Sequence, residues 1–241
     1  MIDIIDNYII IEEKNKEGLT MYKYILFDID NTLLDFSKGE REAVRAVFQS
    51  EGVEDSEENF KRYSEINKSM WGLLEEGKLV KQEVLTKRFE VFFEEKGIKV
   101  NPQEKEDIFR IGINENHQLV PHAVEILEYV KSKGYVICSA TNGVLHTQMR
   151  RMTDANIISY FDHQFISEAV GYEKPQKAFF DVIIESLHIT DLSEVLMIGD
   201  TETSDINGAI NAGIDACYFG PNKESKAKYR IHNLLELKNI I

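Results

Sequence analysis

Cysteine is scarce in this chain. Of 241 residues only Cys138 and Cys217 carry a thiol, and both fall in apolar, strand-like runs. Two such thiols exclude a disulfide framework and read as packed core residues in a reducing compartment. The six histidines are scattered without metal-ligand spacing, so a zinc site is excluded as well. Basic residues are in deficit: 28 Lys and Arg face 42 Asp and Glu, a net charge of −14. A nucleic-acid polymer needs a basic surface and is not an expected partner. A single nucleotide is not excluded, because one lysine and a Mg²⁺ can meet its phosphate. No apolar run approaches the roughly 20 residues of a membrane span, so no membrane partner is expected. The N-terminus lacks a basic stretch followed by a long apolar core, and a cytoplasmic location is the expectation. Internal repeats and low-complexity tracts are absent.

What is present is a soluble-protein composition, 43% hydrophobic, long enough to bury a substantial core in one or two domains. Tyr24-Ile25-Leu26-Phe27-Asp28-Ile29-Asp30 is an apolar run of strand length ending in two acids. Strand alternation puts Asp28 and Asp30 on one side, and at the end of a buried parallel strand they point into the crevice where open α/β sheets bind ligands. Adjacent acids repel unless a cation or a shared proton separates them. A metal site, an acid–base pair and a carboxylate nucleophile with a helper are all compatible with the pair. Ile137-Cys138-Ser139-Ala140-Thr141-Asn142-Gly143 is a second apolar strand, ending in a hydroxyl, an amide and a glycine. Glu173-Lys174-Pro175 sets a lysine in a loop before a helix. Val195-Leu196-Met197-Ile198-Gly199-Asp200 is a third strand, followed by Asp205.

Between the first two strands the chain reads as helical. Ser37 and Glu40 have capping-box spacing, and Val44, Val47 and Phe48 follow before Gly52. Phe60 to Leu74 marks a second helix ending near Gly77. Val84 to Phe93 marks a third ending at Gly97, and Asn101-Pro102 opens a fourth. Four amphipathic helices predict a small bundle over 36–118. After a helix over 121–133, strand and helix alternate, with strands expected at 135–140, 164–167, 195–199 and 215–218. The fold class is therefore α/β: a doubly wound parallel sheet, Rossmann-like, built from 21–35 and 119–241, with the helical bundle inserted. Residues 1–20 read as an appendage before Met21, or as an added edge strand.

In order and spacing these pieces resemble the four motifs of the haloacid dehalogenase superfamily, from Met21 to about Phe219. The motif residues are Asp28, Asp30 and Thr32; Thr141; Lys174; and Gly199, Asp200 and Asp205. The helical insert resembles that superfamily's type C1 cap. Trp71-Gly72-Leu73-Leu74-Glu75-Glu76-Gly77-Lys78 looks like the bacterial pyrimidine 5′-nucleotidase branch, as do Thr141-Asn142-Gly143-Val144 with His146-Thr147-Gln148, and Gly171-Tyr172-Glu173-Lys174-Pro175. Glu202 departs from the pattern, standing in the acidic loop where relatives carry an apolar residue; it either faces solvent or adds charge near the metal.

The resemblance implies a Mg²⁺-dependent phosphatase acting on a small phosphate monoester through an aspartyl-phosphate. Asp28 would be the nucleophile and Asp30 the acid–base. Mg²⁺ would be held by Asp28, the Asp30 carbonyl and Asp200, with Asp205 orienting its water. Thr141, Asn142 and Gly143 would cradle phosphate at the start of the following helix, and Lys174 would neutralise Asp28 and the phosphoryl group. Trp71 and Arg88 are the cap residues expected to reach substrate; His117, near the cap hinge, reads as structural. A nucleoside monophosphate is the expected substrate. The alternatives are a sugar-phosphate phosphatase or phosphosugar mutase of the same superfamily, and a silent phosphate-binding protein. A dehalogenase is disfavoured, because Asp30 supplies a proton that C–halogen cleavage does not need. Oligomeric state is left open.

Overall fold

The computed structural model describes residues 22–241; the appendage or edge strand expected over 1–20 lies outside them. Strand β1 (Tyr24–Phe27) leads into four helices, α1 (Phe36–Ser50), α2 (Glu57–Glu75), α3 (Lys81–Glu94) and α4 (Pro102–Glu115). The chain returns through α5 (Ala123–Ser132), β2 (Val136–Thr141), α6 (Leu145–Asp154), β3 (His163–Ile166), α7 (Ser167–Val170) and α8 (Lys177–Ser186). It ends with β4 (Val195–Gly199), α9 (Gly208–Asn211), β5 (Asp215–Phe219) and β6 (Tyr229–Ile231). The six strands form one sheet in the order β3-β2-β1-β4-β5-β6, and every pairing is parallel. The strand order reverses between β1 and β4, the switch point where such sheets open a crevice.

Apolar alternation within the strands supplies both faces of the sheet. Ile25, Phe27, Ile137 and Ile198 pack with Ile126 and Val130 of α5 and Met152 of α6. Leu26, Cys138 and Met197 pack on the other face with Phe179 and Phe180 of α8 and Ala209 of α9. Both cysteines are free and buried. Strand β6 was not expected from the sequence. It is three residues long at the sheet edge, with Arg230 exposed, too short and too polar to stand out as an apolar run.

The helical insertion has an apolar cluster of its own, centred on Phe48, Tyr63, Phe89, Phe92, Phe93 and Phe109. Its first helix starts earlier than predicted. Asp35, not Ser37, is the cap, accepting from Lys38 N at 3.1 Å. Ser37 lies in the first turn, with both its N–H and its hydroxyl donating to Asn31 Oδ1 at 2.9 Å. Glu40 is consequently not spent on the cap. Helices α2 and α4 use Ser56, and Asn101 followed by Pro102, as their sequences dictate. The chain leaves and re-enters the sheet layer at one place: Asp35 N donates to Gln118 O at 2.8 Å, and Val120 N to Leu33 O at 2.9 Å.

Phe92 stacks on Phe48 with ring centroids 4.7 Å apart and meets Tyr63 and Phe93 edge-on. Phe92→Ala should cost about 3–5 kcal/mol through lost burial and a residual cavity, measurable as a lowered denaturation midpoint of the insertion.

Candidate active site

Four segments converge at the carboxyl ends of β1, β2 and β4. Asp28 follows β1 directly, and its N–H donates to Ile198 O of β4 at 2.9 Å. Thr141 is the last residue of β2 and is buried. Asp200 follows Gly199 at the end of β4. Lys174 comes from the loop before α8, far along the chain, and is 1% exposed. Its ammonium donates to Asp28 Oδ1 at 2.8 Å, to Asp205 Oδ1 at 2.6 Å and to Ala140 O at 2.5 Å. Three acceptors match the three N–H bonds of an ammonium.

Two glycines make this close approach possible. A side chain at Gly199 would overlap the Asp205 carboxylate, and one at Gly143 would overlap Gln148. After Asp200 the chain makes a wide π-type turn over Glu202–Asn207, which returns Asp205 beneath the strand end. There Thr201 N donates to Asp205 Oδ2 at 3.0 Å.

The resemblance implies that the Asn142 backbone N–H holds phosphate; its side chain has a separate role. Asn142 Oδ1 accepts from Lys174 N and Nδ2 donates to Lys174 O, both at 2.8 Å. The amide thus pairs with the lysine's backbone as a neighbouring strand would, and fixes the Lys174 loop to the end of β2. The helix expected after Asn142 is α6. It begins at Leu145, with Val144 as its cap residue, and Gly143 N turns back to Thr141 Oγ1 at 3.2 Å. Glu202 Oε1 accepts from Lys226 N at 2.9 Å, in the loop after β5. His117 is exposed.

Asp30 has partners that sequence reasoning missed. Gln148 Nε2 donates to Asp30 Oδ2 and to Thr141 Oγ1, both at 2.9 Å. The fully buried Arg151 guanidinium forms an ion pair with Asp30, with Nη1 also reaching Gln148 Oε1 at 3.0 Å and Nε reaching Asn116 O at 2.8 Å. Both residues lie on α6, whose buried face includes Thr147, Gln148, Arg151 and Met152. In sequence that polar stripe reads as a solvent face.

Above these groups lies a cavity of about 640 Å³. The sheet residues form its floor, and the insertion forms its roof, with Glu40, Asn67, Trp71, Glu75 and Arg88 among the lining side chains. Arg88 is buried, its guanidinium held by Glu106 at 2.6 Å and by Asn67 Oδ1 at 3.0 Å. Trp71 is half-buried at the wall. The insertion also meets the floor directly. Glu75 of α2 and Thr203 both line the cavity, and Arg110 Nη1 donates to Thr147 Oγ1 at 3.5 Å. Lys81 of α3 reaches Ser167 Oγ at 2.5 Å, Glu173 at 3.3 Å and Gly143 O at 3.5 Å.

The floor is electrostatically unbalanced. Burial pushes the Asp28 carboxyl well above its ordinary value; Lys174 opposes this, while Asp205, Asp200 and Asp30 add to it. Burial, then Asp205, push Asp200 up to about 7. Burial works against the charge on Lys174, but Asp205 and Asp28 outweigh it and raise its pKa. One ammonium does not neutralise this group. Asp28, Asp200 and Asp205 offer oxygens that all lie within 4.8 Å of one another. An all-oxygen, carboxylate-rich set beside a cavity open to water suits Mg²⁺, which takes few protein ligands and keeps its waters.

A family model for haloacid dehalogenase-like hydrolases matches residues 22–213. The chain is 32% identical over 235 residues to the pyrimidine 5′-nucleotidase PynA of Streptococcus pneumoniae, covering 91% of this chain and 97% of PynA. It is 30% identical over 225 residues to the pyrimidine 5′-nucleotidase YjjG of Escherichia coli, covering 91% and 98%. A magnesium-bound crystal structure of YfnB from Bacillus subtilis superposes with a TM-score of 0.87 at 33% identity, covering 91% of this chain and 98% of that one.

The raised Asp200 pKa gives a signed pH dependence. A carboxyl whose folded pKa lies above its unfolded value of 3.8 stabilises the metal-free fold most at low pH, and that contribution is lost as pH rises towards about 7. A divalent ion such as Mg²⁺ would bind the ionised form. The rise in melting temperature on adding Mg²⁺ should therefore be larger at pH 8 than at pH 5, as read by thermal denaturation with and without metal.

Proposed function

The chain belongs to the haloacid dehalogenase-like hydrolases, and on that premise we propose that it is a Mg²⁺-dependent phosphatase of pyrimidine nucleoside monophosphates. The observation that carries the reading is the buried Lys174 ammonium bridging Asp28 and Asp205 at the floor of a roofed cavity. A buried cation between a candidate nucleophile and a metal-side acid suits an incoming phosphate dianion. The relatives PynA and YjjG, named as pyrimidine 5′-nucleotidases and matched over nearly their whole length, support the substrate class.

Asp28, Asp200 and Asp205 would hold or orient the Mg²⁺, together with the Asp30 carbonyl, and the ion supplies charge neutralisation that lets an anionic nucleophile meet a phosphate. Asp28 attacks phosphorus. The Asp28–phosphorus bond forms as the bond from phosphorus to the nucleoside 5′-oxygen breaks, and Asp30 gives that oxygen its proton. Water then attacks the aspartyl-phosphate, Asp30 takes the water's proton, and Asp28 is released. One carboxyl serves both halves because they run opposite proton transfers. Lys174 stays between Asp28 and Asp205 and offsets the charge of the transferring group. The Thr141 hydroxyl and the backbone at Asn142 and Gly143 border the phosphate oxygens, while the Asn142 side chain keeps Lys174 in place. Gln148 and Arg151 orient Asp30. Alignment and charge stabilisation supply most of the rate, since phosphoryl transfer asks little else of a protein.

The cap decides the substrate. Trp71 gives an aromatic wall for a base, and the Arg88 network lines the roof. Closing the cap on the leaving group excludes water and aligns Asp28 and Asp30, so selectivity should appear in kcat as well as KM.

Two measurements test this. Asp28→Asn should keep the fold and lower turnover to below about one part in a thousand, and EDTA should abolish activity that Mg²⁺ restores; full activity in metal-free buffer would reject the mechanism. In a panel of phosphate monoesters, pyrimidine monophosphates should exceed purine monophosphates and hexose phosphates in kcat/KM. A phosphosugar preferred tenfold over every nucleotide, about 1.4 kcal/mol in the transition state, would replace the nucleotidase reading with a sugar-phosphate phosphatase.

A further inference from the structure

The interior of the insertion is mainly aromatic and aliphatic, with Lys105 buried on one side against Glu51 and Ser50 and a polar group facing the cavity. There each of the four helices contributes polar side chains: Glu40 from α1, Asn67 from α2, Arg88 from α3, and Glu106 with Arg110 from α4. They form one chain of contacts. Arg110 and Arg88 both pair with Glu106. Arg88 Nη1 donates to Asn67 Oδ1 at 3.0 Å, and Asn67 Nδ2 donates to Glu40 Oε1 at 2.7 Å. A guanidinium only donates, so the Asn67 amide has one permitted orientation, with its NH₂ towards Glu40. The network therefore ends on Glu40. Among the described residues none donates to its second oxygen, Oε2, and the side chain lines the cavity.

The charge count gives Glu40 a second role. Arg88 and Arg110 carry two positive charges, and Glu106 and Glu40 carry two negative ones. With Glu40 ionised these four are neutral together, and Lys68 and Glu75 of α2, which also line the cavity, offset each other; without Glu40, one positive charge is left over above the phosphate site. Burial raises the Glu40 carboxyl pKa above its ordinary value, and Arg88, then the Asn67 amide, work in the opposite direction.

We infer that Glu40 is the specificity-determining residue of the roof, selecting phosphate monoesters whose leaving group is uncharged and carries hydroxyl or N–H donors, and rejecting those whose leaving group is itself an anion. The inference rests on the phosphatase reading and narrows it. A ribose or a neutral pyrimidine can donate to Glu40 Oε2. A carboxylate or second phosphate would meet a like charge in a confined space, where opposing charges are weakly screened. Arg88 is a positioning residue here, holding Asn67 and through it Glu40. The inference also separates this roof from one built to attract small anionic phosphate esters, which would leave its arginines uncompensated.

The experiment is kinetic and uses the full chain with Mg²⁺. For wild type, Glu40→Gln, Glu40→Asp and the exposed-site control Glu58→Gln, kcat/KM is measured for uridine monophosphate and for phosphoglycolate, whose leaving group, glycolate, carries a carboxylate. The ratio of the two within one preparation does not depend on how much of the protein is folded. Glu40→Gln should shift that ratio at least about tenfold towards phosphoglycolate, since it removes both the acceptor charge and the repulsion. Glu40→Asp, which keeps the charge, should restore most of the wild-type ratio, and Glu58→Gln should leave it unchanged. A Glu40→Gln ratio within threefold of wild type overturns the inference, as does a Glu40→Asp ratio matching that of Glu40→Gln. If wild type prefers a hexose phosphate, the nucleotide reading falls. The Glu40 test then runs with that hexose phosphate, also an uncharged polyol ester, against phosphoglycolate.

Discussion

A lysine ammonium buried among carboxylates is the constraint on which the floor of this molecule depends. Taking Lys174 out of water costs several kcal/mol unless its charge and all its protons are met. Asp28, Asp205 and the Ala140 carbonyl meet them, and they come from the end of β1, the turn that follows β4 and the end of β2. One side chain thus ties three strand ends together at the point where the strand order reverses. The surrounding details serve that contact. Gly199 lets Asp205 come close, the π-type turn brings Asp205 back beneath the strand, and Asn142 grips the lysine's backbone from the side. The floor still holds more negative than positive charge, and that imbalance makes it receptive to a divalent ion.

Asp30 belongs to a different circuit. Its partners, Gln148 and Arg151, lie on α6, and Arg151 continues to the Asn116 carbonyl at the end of α4. The residue read as the acid–base is therefore held by a helix that also holds the point where the insertion rejoins the sheet layer. Floor and roof differ in electrostatic character as well. The floor concentrates charge of one sign, whereas the roof pairs its charges so that no net field opposes a neutral leaving group.

The sequence made the strand ends legible because short apolar runs that stop abruptly at Asp, Thr or Gly are local signals. Asp28, Thr141 and Asp200 could be picked out on that basis, Lys174 only through its place in the ordered set of motifs, and the four insertion helices by their aromatic spacing. The α1 cap was misplaced because Asp35 and Ser37 are both good cap residues; Asn31, five residues away from any helix pattern, occupies Ser37 and decides the matter. Strand β6 was missed because Tyr229-Arg230-Ile231 becomes a strand only by pairing with β5. Gln148 and Arg151 were not recognised as partners of Asp30 because buried polar residues on a helix look like its wet side until tertiary packing turns that side inward. Glu40 was assigned to a cap and Asn67 passed over for the same reason: the identity of a long-range partner leaves no local trace.

The hinge of the insertion has a consequence for how sequences of this kind can change. Asp35 and Gln118 are hydrogen-bonded neighbours, so the sheet layer experiences the intervening residues as a tight turn of almost no span. The closure entropy of a loop grows only slowly with its length, and here the ends are fixed by the ribbon itself. The roof also carries its own aromatic cluster, separate from those on the two faces of the sheet. A recombination event or an engineer could exchange the segment between those two residues for a shorter or longer one without altering the distance the sheet must bridge. Leaving-group recognition can therefore diverge in this architecture as a cassette, while the phosphoryl chemistry beneath it is inherited intact.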